Sequence, residues 1–243
     1  FAVRGMPHTG GSLHRRGVFA EKDSPIVRNL KNSGAVLLGL TNCPEGGLWL
    51  ETDNQVYGRT NNPWDVRRTC GGSSGGEGVA VAIGGSALGV GADIGGSIRF
   101  PAAFCGVIGH KPTGGLIPTE GHWPRVGEGE LPVLTAGPLV RYVRDILPAL
   151  NAMRGPGEAL IDDLRPISEL RVFAPSIQVY HRVDGAVQRA VARSVAELGR
   201  HGARTEDLPI RFLLKGLEGW VHSLLGAGGK TFAQMMNGGQ PIR

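Results

Sequence analysis

The sequence has 243 residues, enough for a sizeable core, and its 41% apolar and 19% charged content excludes a disordered chain. A net charge of +5 is spread over scattered bases, with pairs at Arg15-Arg16 and Arg67-Arg68 but no long basic run, so we expect a basic solvated surface and no nucleic-acid partner. The longest weakly apolar run, Gly78 to Ala92, is too short and glycine-rich to span a bilayer and lies between Glu77 and Asp93, so no membrane segment is expected.

In chain order, Ser24-Pro25 reads as a helix start, a capping hydroxyl before proline at the first helical position. Ile26, Val27 and Leu30 give this helix one apolar face, and Gly34 closes it. Ala35 to Leu40, "AVLLGL", is a continuous apolar run of the kind found in strands covered on both faces. Thr41 to Cys70 is loop-rich. Glu77 to Ser86 reads as a short buried helix, Ala87 to Gly91 as a strand, Ser97 to Phe104 as the first turns of a helix, and Val107-Ile108 as a short strand. Gly115 to Gly137 reads as irregular. Helical spacing returns at Val143, Ile146, Leu147, Leu150 and Met153, with Pro148 as a kink. Leu170 to Ala174 is a strand, and Ala203 to Leu208 another. Between them Asp184 to Arg200 is the clearest helix, with Val187, Val191, Ser194, Val195 and Leu198 on one stripe. Strands alternating with helices indicate an α/β layer fold. The composition shift at the Met153 to Gly157 turn is too weak for a domain boundary, so a single domain over 1–243 is expected.

The three cysteines, Cys43, Cys70 and Cys105, are far apart with no CxxC spacing. That argues against a zinc site or a disulfide framework and suits a reducing cytoplasm.

The chemistry concentrates between Thr69 and Phe104, where Ser73 and Ser74 lie in one glycine-flanked cluster and Ser97 in a second. Phosphate binding fits poorly: Gly89 to Gly95 carries one residue too many for a dinucleotide fingerprint, and no Gly-Lys-Ser/Thr follows either cluster. Gly71 to Gly75 satisfies G-x-S-x-G, but a nucleophile elbow needs a strand before the serine, and "NNPWDVRRTC" is a polar loop. A third reading makes both clusters chemical. A glycine-rich turn from Asp93 to Ser97 leaves backbone N–H groups unencumbered, and a helix starting there would add free donors and a favourable dipole. Such a turn suits an oxyanion hole, with Ser97 as nucleophile. With no histidine in a suggestive motif, a second serine would relay the proton to a neutral lysine. The competing reading is that glycines and serines merely allow close backbone packing.

"GGSSGGEG" and "DIGGSIRFPAAFCGVIGHKPTGG" together resemble the amidase signature family. Glu77-Gly78 and "VYGRTNNPWD" resemble its fatty-acid amide hydrolase branch. The resemblance implies a mixed twisted sheet flanked by helices and a Ser–cis-Ser–Lys triad. Ser97 matches the nucleophile, and Ser73 matches the bridging serine at a cis peptide bond. Ile94, Gly95, Gly96 and Ser97 match the oxyanion segment, and Gly47 a residue whose backbone faces the acyl pocket. Ser74, Asp93 and Arg99 match supporting positions. The family's lysine falls just upstream of Phe1. Of Lys22, Lys31, Lys111, Lys215 and Lys230, only Lys111 matches a family position, a structural one. Family members also continue beyond Arg243, so the sequence is expected to be the central portion of an amidase, with sheet edges left uncovered.

The function so implied is a serine amidohydrolase that cleaves a carboxylic or fatty-acid amide through an acyl-enzyme, without metal or organic cofactor. A glutamine-directed amidotransferase component of the A type, with partner proteins and tRNA, is one alternative. A non-catalytic binding protein is another. A homodimer is left open. Leu48, Trp49, Leu50 and Trp123 are candidates to line an apolar acyl pocket. His110 is read as structural, and the remaining histidines as surface or loop residues without a role.

Overall fold

The computed structural model describes residues 1–124, 133–157, 165–175, 183–208, 215–220 and 222. The described residues up to 157 form one unit, and those from 165 onward a second.

In the first unit α1 (Pro25–Asn32) begins with proline, where no intrahelical donor is needed. Its Ile26, Val27 and Leu30 share a buried cluster with Val3, Ile117, Ala136, Leu150 and Met153. Ser24 occupies the N-cap, but its hydroxyl makes no capping bond and has no hydrogen-bond partner among the described residues. Its backbone N–H instead donates to Ala2 O at 2.8 Å, and its Cβ packs on the backbone of Gly121.

Ala35 to Leu40 does not form the expected strand: Val36 is 83% and Leu38 71% exposed, and no ladder partner occurs among the described residues. Apolar composition suits a strand, but only a neighbouring backbone that accepts and donates its bonds makes one. The three-stranded sheet of this unit does not reach this segment.

A two-residue antiparallel pair follows, β1 (Asp53–Asn54) with β2 (Gly58–Arg59). α2 (Gly75–Ala82) begins two residues earlier than its sequence suggests. A β-carbon at Gly76 would stand 2.6 Å from Asn42 O, so close packing against the Thr41–Asn42 backbone outweighs the poor helix propensity of glycine.

β3 (Leu88–Asp93) leads into α3 (Arg99–Cys105) and then β4 (Ile108–Gly109). β5 (Thr135–Val140) pairs antiparallel with both strands and is the middle of the sheet, order β3-β5-β4. This corrects the expectation of an irregular stretch up to Gly137; taken locally, Gly137 and Pro138 both argue against a central strand. The sheet accommodates Pro138 by ending β4 there. His110 N–H donates to Pro138 O at 3.0 Å, and proline has no N–H to return the bond.

α4 (Ile146–Arg154) packs on α1, and its Ala149, Leu150 and Met153 are buried. Pro148 falls in its first turn, where the missing donor costs nothing, so the expected kink is absent.

A second cluster, Val81, Ile98, Ala102 and Leu139, joins α2, α3 and β5 directly beneath the Ser97 turn. Leu139 is fully buried. Leu139→Ala is expected to cost about 2–5 kcal/mol in urea unfolding, since the cavity cannot fully collapse between two helices and a sheet.

In the second unit β6 (Arg171–Pro175) and β7 (Arg204–Leu208) pair in parallel across α5 (Gly185–Arg200). Asp184 caps α5 by accepting from Ala186 N–H at 2.7 Å. Of the expected stripe, Val191, Val195 and Leu198 are half-buried while Val187 and Ser194 are exposed. Strands and helices are thus intermixed in both units, the mixed α/β class expected. No helix among the described residues is long and apolar enough to cross a membrane.

Candidate active site

β3 ends at Asp93, whose side chain is fully buried, and the chain turns through Ile94 to Ile98 into α3. The Asp93 carboxylate organises this turn. It accepts from Gly96 N–H at 2.8 Å, Ile98 N–H at 3.1 Å, Arg99 Nε at 3.0 Å and Arg99 Nη2 at 2.9 Å. Burial alone would raise the Asp93 carboxyl. The Arg99 fork and the two backbone donors outweigh it and hold the group below the usual carboxylate range. The Gly96 N–H is thereby occupied. The N–H groups of Gly95 and Ser97 have no hydrogen-bond partner among the described residues. Gly95 is exposed, and Ile94 and Ser97 are half-buried.

The first serine cluster lies against this turn. The Gly72–Ser73 peptide bond is cis. Ser74 N–H donates to Ser97 O at 3.0 Å, a backbone bond that ties the two clusters together. Ser74 Oγ accepts from Ala92 N–H at 3.3 Å and so anchors the first cluster to β3 as well. Thr52 Oγ1 donates to Gly71 O at 2.8 Å from a buried position. Ser73 is only 8% exposed, and its hydroxyl has no hydrogen-bond partner among the described residues.

Gly47 lies at Ser73: a β-carbon built on Gly47 would stand 3.6 Å from Ser73 Oγ. The backbone of Trp49 to Glu51 lies on Gly72, where a β-carbon would stand 2.7 Å from Trp49 O. The backbone of Trp49 and Leu50 thus lines the serine loop, and Leu48, Trp49 and Leu50 are 45%, 68% and 51% exposed. Ser73, Ser74, Ser97, Gly47, Asp93 and Arg99 are thus joined in one connected arrangement.

Lys111 is a brace at the base of the turn. Its Nζ donates to Asp93 O at 3.2 Å, Val133 O at 3.0 Å and Thr135 Oγ1 at 3.0 Å. Burial pushes its ammonium down, opposed by the nearby Asp93 charge. Sequence reasoning missed the residues that fasten the far end of α3. Asn62 Nδ2 donates to Phe104 O at 2.9 Å, and Trp64 Nε1 to Cys105 O at 2.7 Å. The asparagine-proline loop signal at Asn61 to Pro63 marks a turn without indicating what it holds.

Two of the histidines read as surface or loop residues lie in loops but are withdrawn from solvent. His8 and His122 are half-buried, and burial is the main cause that pushes each down to about 4. The thiols of Cys43, Cys70 and Cys105 are free. Burial raises all three, that of Cys105 to about 12, so none is poised as a nucleophile.

Comparison with known proteins gives the family of the chain. The family model described as Amidase matches residues 1–238. The chain is 49% identical over 158 residues to human fatty-acid amide hydrolase 2, covering 65% of this chain and 30% of the relative. It is 39% identical over 254 aligned residues to fatty-acid amide hydrolase 2-A of Danio rerio, covering 98% of this chain and 47% of the relative. The X-ray structure of native peptide amidase from Stenotrophomonas maltophilia matches with a TM-score of 0.76 at 27% identity, covering 98% of this chain and 52% of that one. The chain spans about half the length of these relatives or less. A family model that matches residues 1–238 of the chain, on a mixed α/β fold with two interlocked serine loops, establishes that the chain belongs to the amidase signature family.

Proposed function

We propose that this chain carries the serine centre of an amidohydrolase resembling fatty-acid amide hydrolases. Ser97 Oγ attacks the amide carbonyl carbon, and its proton passes to Ser73 Oγ. Ser73 in turn gives its own proton to a neutral lysine, which the family resemblance puts upstream of Phe1. The carbonyl oxygen becomes an oxyanion facing the Gly95 and Ser97 N–H groups, whose free donors suit that charge. The C–N bond then breaks, and the leaving amine takes a proton back through Ser73. Water repeats the sequence on the Ser97 ester and releases the carboxylic acid. Gly96 is left out of the hole because Asp93 holds its N–H, and Asp93 and Arg99 act by keeping the turn in place.

The observation that carries this reading is the 3.0 Å bond from Ser74 N–H to Ser97 O, which couples the two serine loops while the Ser73 hydroxyl keeps no partner among the described residues. The exposed Trp49 and Leu50, whose backbone lies on Gly72, favour an apolar acyl group over glutamine. The reading is tested by extending the chain upstream to include that lysine, incubating it with an alkyl fluorophosphonate and mapping the adduct by peptide mass. The expected product is a single adduct on Ser97. A folded sample that labels elsewhere, or not at all, overturns the assignment.

A further inference from the structure

The turn that faces Ser73 is a short 3-10 turn whose own bonds are Gly47 N–H to Pro44 O at 2.9 Å and Leu48 N–H to Glu45 O at 3.4 Å. Gly46 and Gly47 both have positive φ, +63° and +68°. Gly46 N–H donates to Gly10 O at 2.8 Å, so the turn is held by another glycine pair, Gly10-Gly11, with φ of +55° and +73°. Glycine visits these conformations readily but is equally free to leave them. Asn54 packs on Gly11, and a second contact bears on Gly10 from outside the two turns.

Trp123 is in that position. Its six-membered ring occupies the space a β-carbon on Gly10 would need, so the indole bears directly on the Gly10 backbone. The Arg15 guanidinium lies 4.6 Å from the centroid of the Trp123 ring. Arg15 is itself fixed, donating to His8 O from Nε at 3.2 Å and from Nη2 at 2.9 Å. A continuous chain of contacts therefore runs from Arg15 through Trp123, Gly10 and Gly46 to Gly47, at the Ser73 hydroxyl.

We infer that Trp123, clamped by Arg15, is a positioning residue that fixes the Gly46–Gly47 turn over Ser73. The inference rests on the serine reading above for its catalytic consequence, but not for its structural one. Trp123 does not touch the reacting atoms. Its effect is on the register of the surface against which Ser73 relays a proton, where a displacement of about 1 Å can cost on the order of 100-fold.

The test has two independent readouts on the same extended chain. One is the rate of fluorophosphonate labelling of Ser97 at saturating probe. The other is amide hydrogen exchange at Gly46 and Gly47. Trp123→Leu is expected to slow labelling about 10- to 100-fold, with little change in the probe concentration needed for half-saturation. It should also speed exchange at Gly46. Trp123→Phe, which keeps an aromatic plate on Gly10, should retain both wild-type values. Arg15→Met should fall between the two and serves if Trp123→Leu does not fold. Ile26→Val, in the core cluster with α4, is the control for general destabilisation and should leave labelling unchanged. Wild-type labelling and wild-type Gly46 exchange in folded Trp123→Leu overturn the inference, and so does an equal slowing in Ile26→Val. If the wild-type chain takes no label, the serine reading fails, and the exchange readout still decides the clamp.

Discussion

Asp93→Ala is expected to lower the unfolding free energy by about 2–6 kcal/mol and to abolish labelling of Ser97. The buried carboxylate serves two kinds of donor, and magnitudes decide which matters more. The Arg99 side chain is 54% exposed, so losing its partner returns it to water at little cost, as for other exposed ion pairs worth about 0–1 kcal/mol. The Gly96 and Ile98 N–H groups have no such recourse while the turn keeps its shape. A buried donor left unpaired costs about 1–3 kcal/mol, and two are released together. The turn is therefore expected to rearrange and swing the Gly95 and Ser97 donors off target.

It follows that Arg99→Met should cost less than Asp93→Ala, although it breaks the same ion pair. Asp93→Asn should also be poorly tolerated, because one amide nitrogen must replace an oxygen among N–H donors. The pH dependence has a definite sign. The Asp93 carboxyl sits below its unfolded value, so its contribution is complete above the ordinary carboxylate range. It is lost only as pH falls through the lowered value. Urea unfolding of wild type and Asp93→Ala at neutral pH and under acid conditions checks this. The difference between them must shrink on acidification, and a difference that grows would contradict the argument.

What the sequence reveals about this site follows from how local each determinant is. α1 is legible because its proline start and its Ile26, Val27 and Leu30 face are set within one short segment. The Ser97 turn is legible for the same reason, since the acid, the glycines and the arginine that bonds back to the acid all fall between Asp93 and Arg99. β5 is not legible. Its central place depends on two strands distant in sequence, and its own Gly137-Pro138 argues locally for a break. Ala35 to Leu40 fails in the opposite direction, with strand composition and no strand beside it among the described residues. The early start of α2 and the packing of Ser24 on Gly121 are likewise decided by a distant backbone. The clamp from Arg15 through Trp123 to Gly46 combines three loops, so periodicity and capping rules cannot detect it.

Ser73→Ala is expected to slow Ser97 chemistry by about 10²–10⁴-fold, the usual worth of a positioned proton-transfer group. It should also leave stability nearly unchanged, and that combination makes the variant informative. The Ser73 hydroxyl makes no hydrogen bond among the described residues, so truncation strands no partner and sacrifices no scaffold contact. Alanine also fits wherever serine fits. Ser74→Ala provides the contrast: its hydroxyl accepts from Ala92 N–H, and removing it should lower stability by about 0.5–1.5 kcal/mol. The two serines are adjacent in sequence and nearly identical in local composition, yet one should act on rate and the other on stability. If these residues are small merely so that two loops can pack closely, both alanine variants should retain wild-type rates. Labelling kinetics and urea unfolding of the two variants separate these outcomes. A Ser73→Ala chain that labels at the wild-type rate would remove the relay from the mechanism and leave Ser97 to be activated by another route.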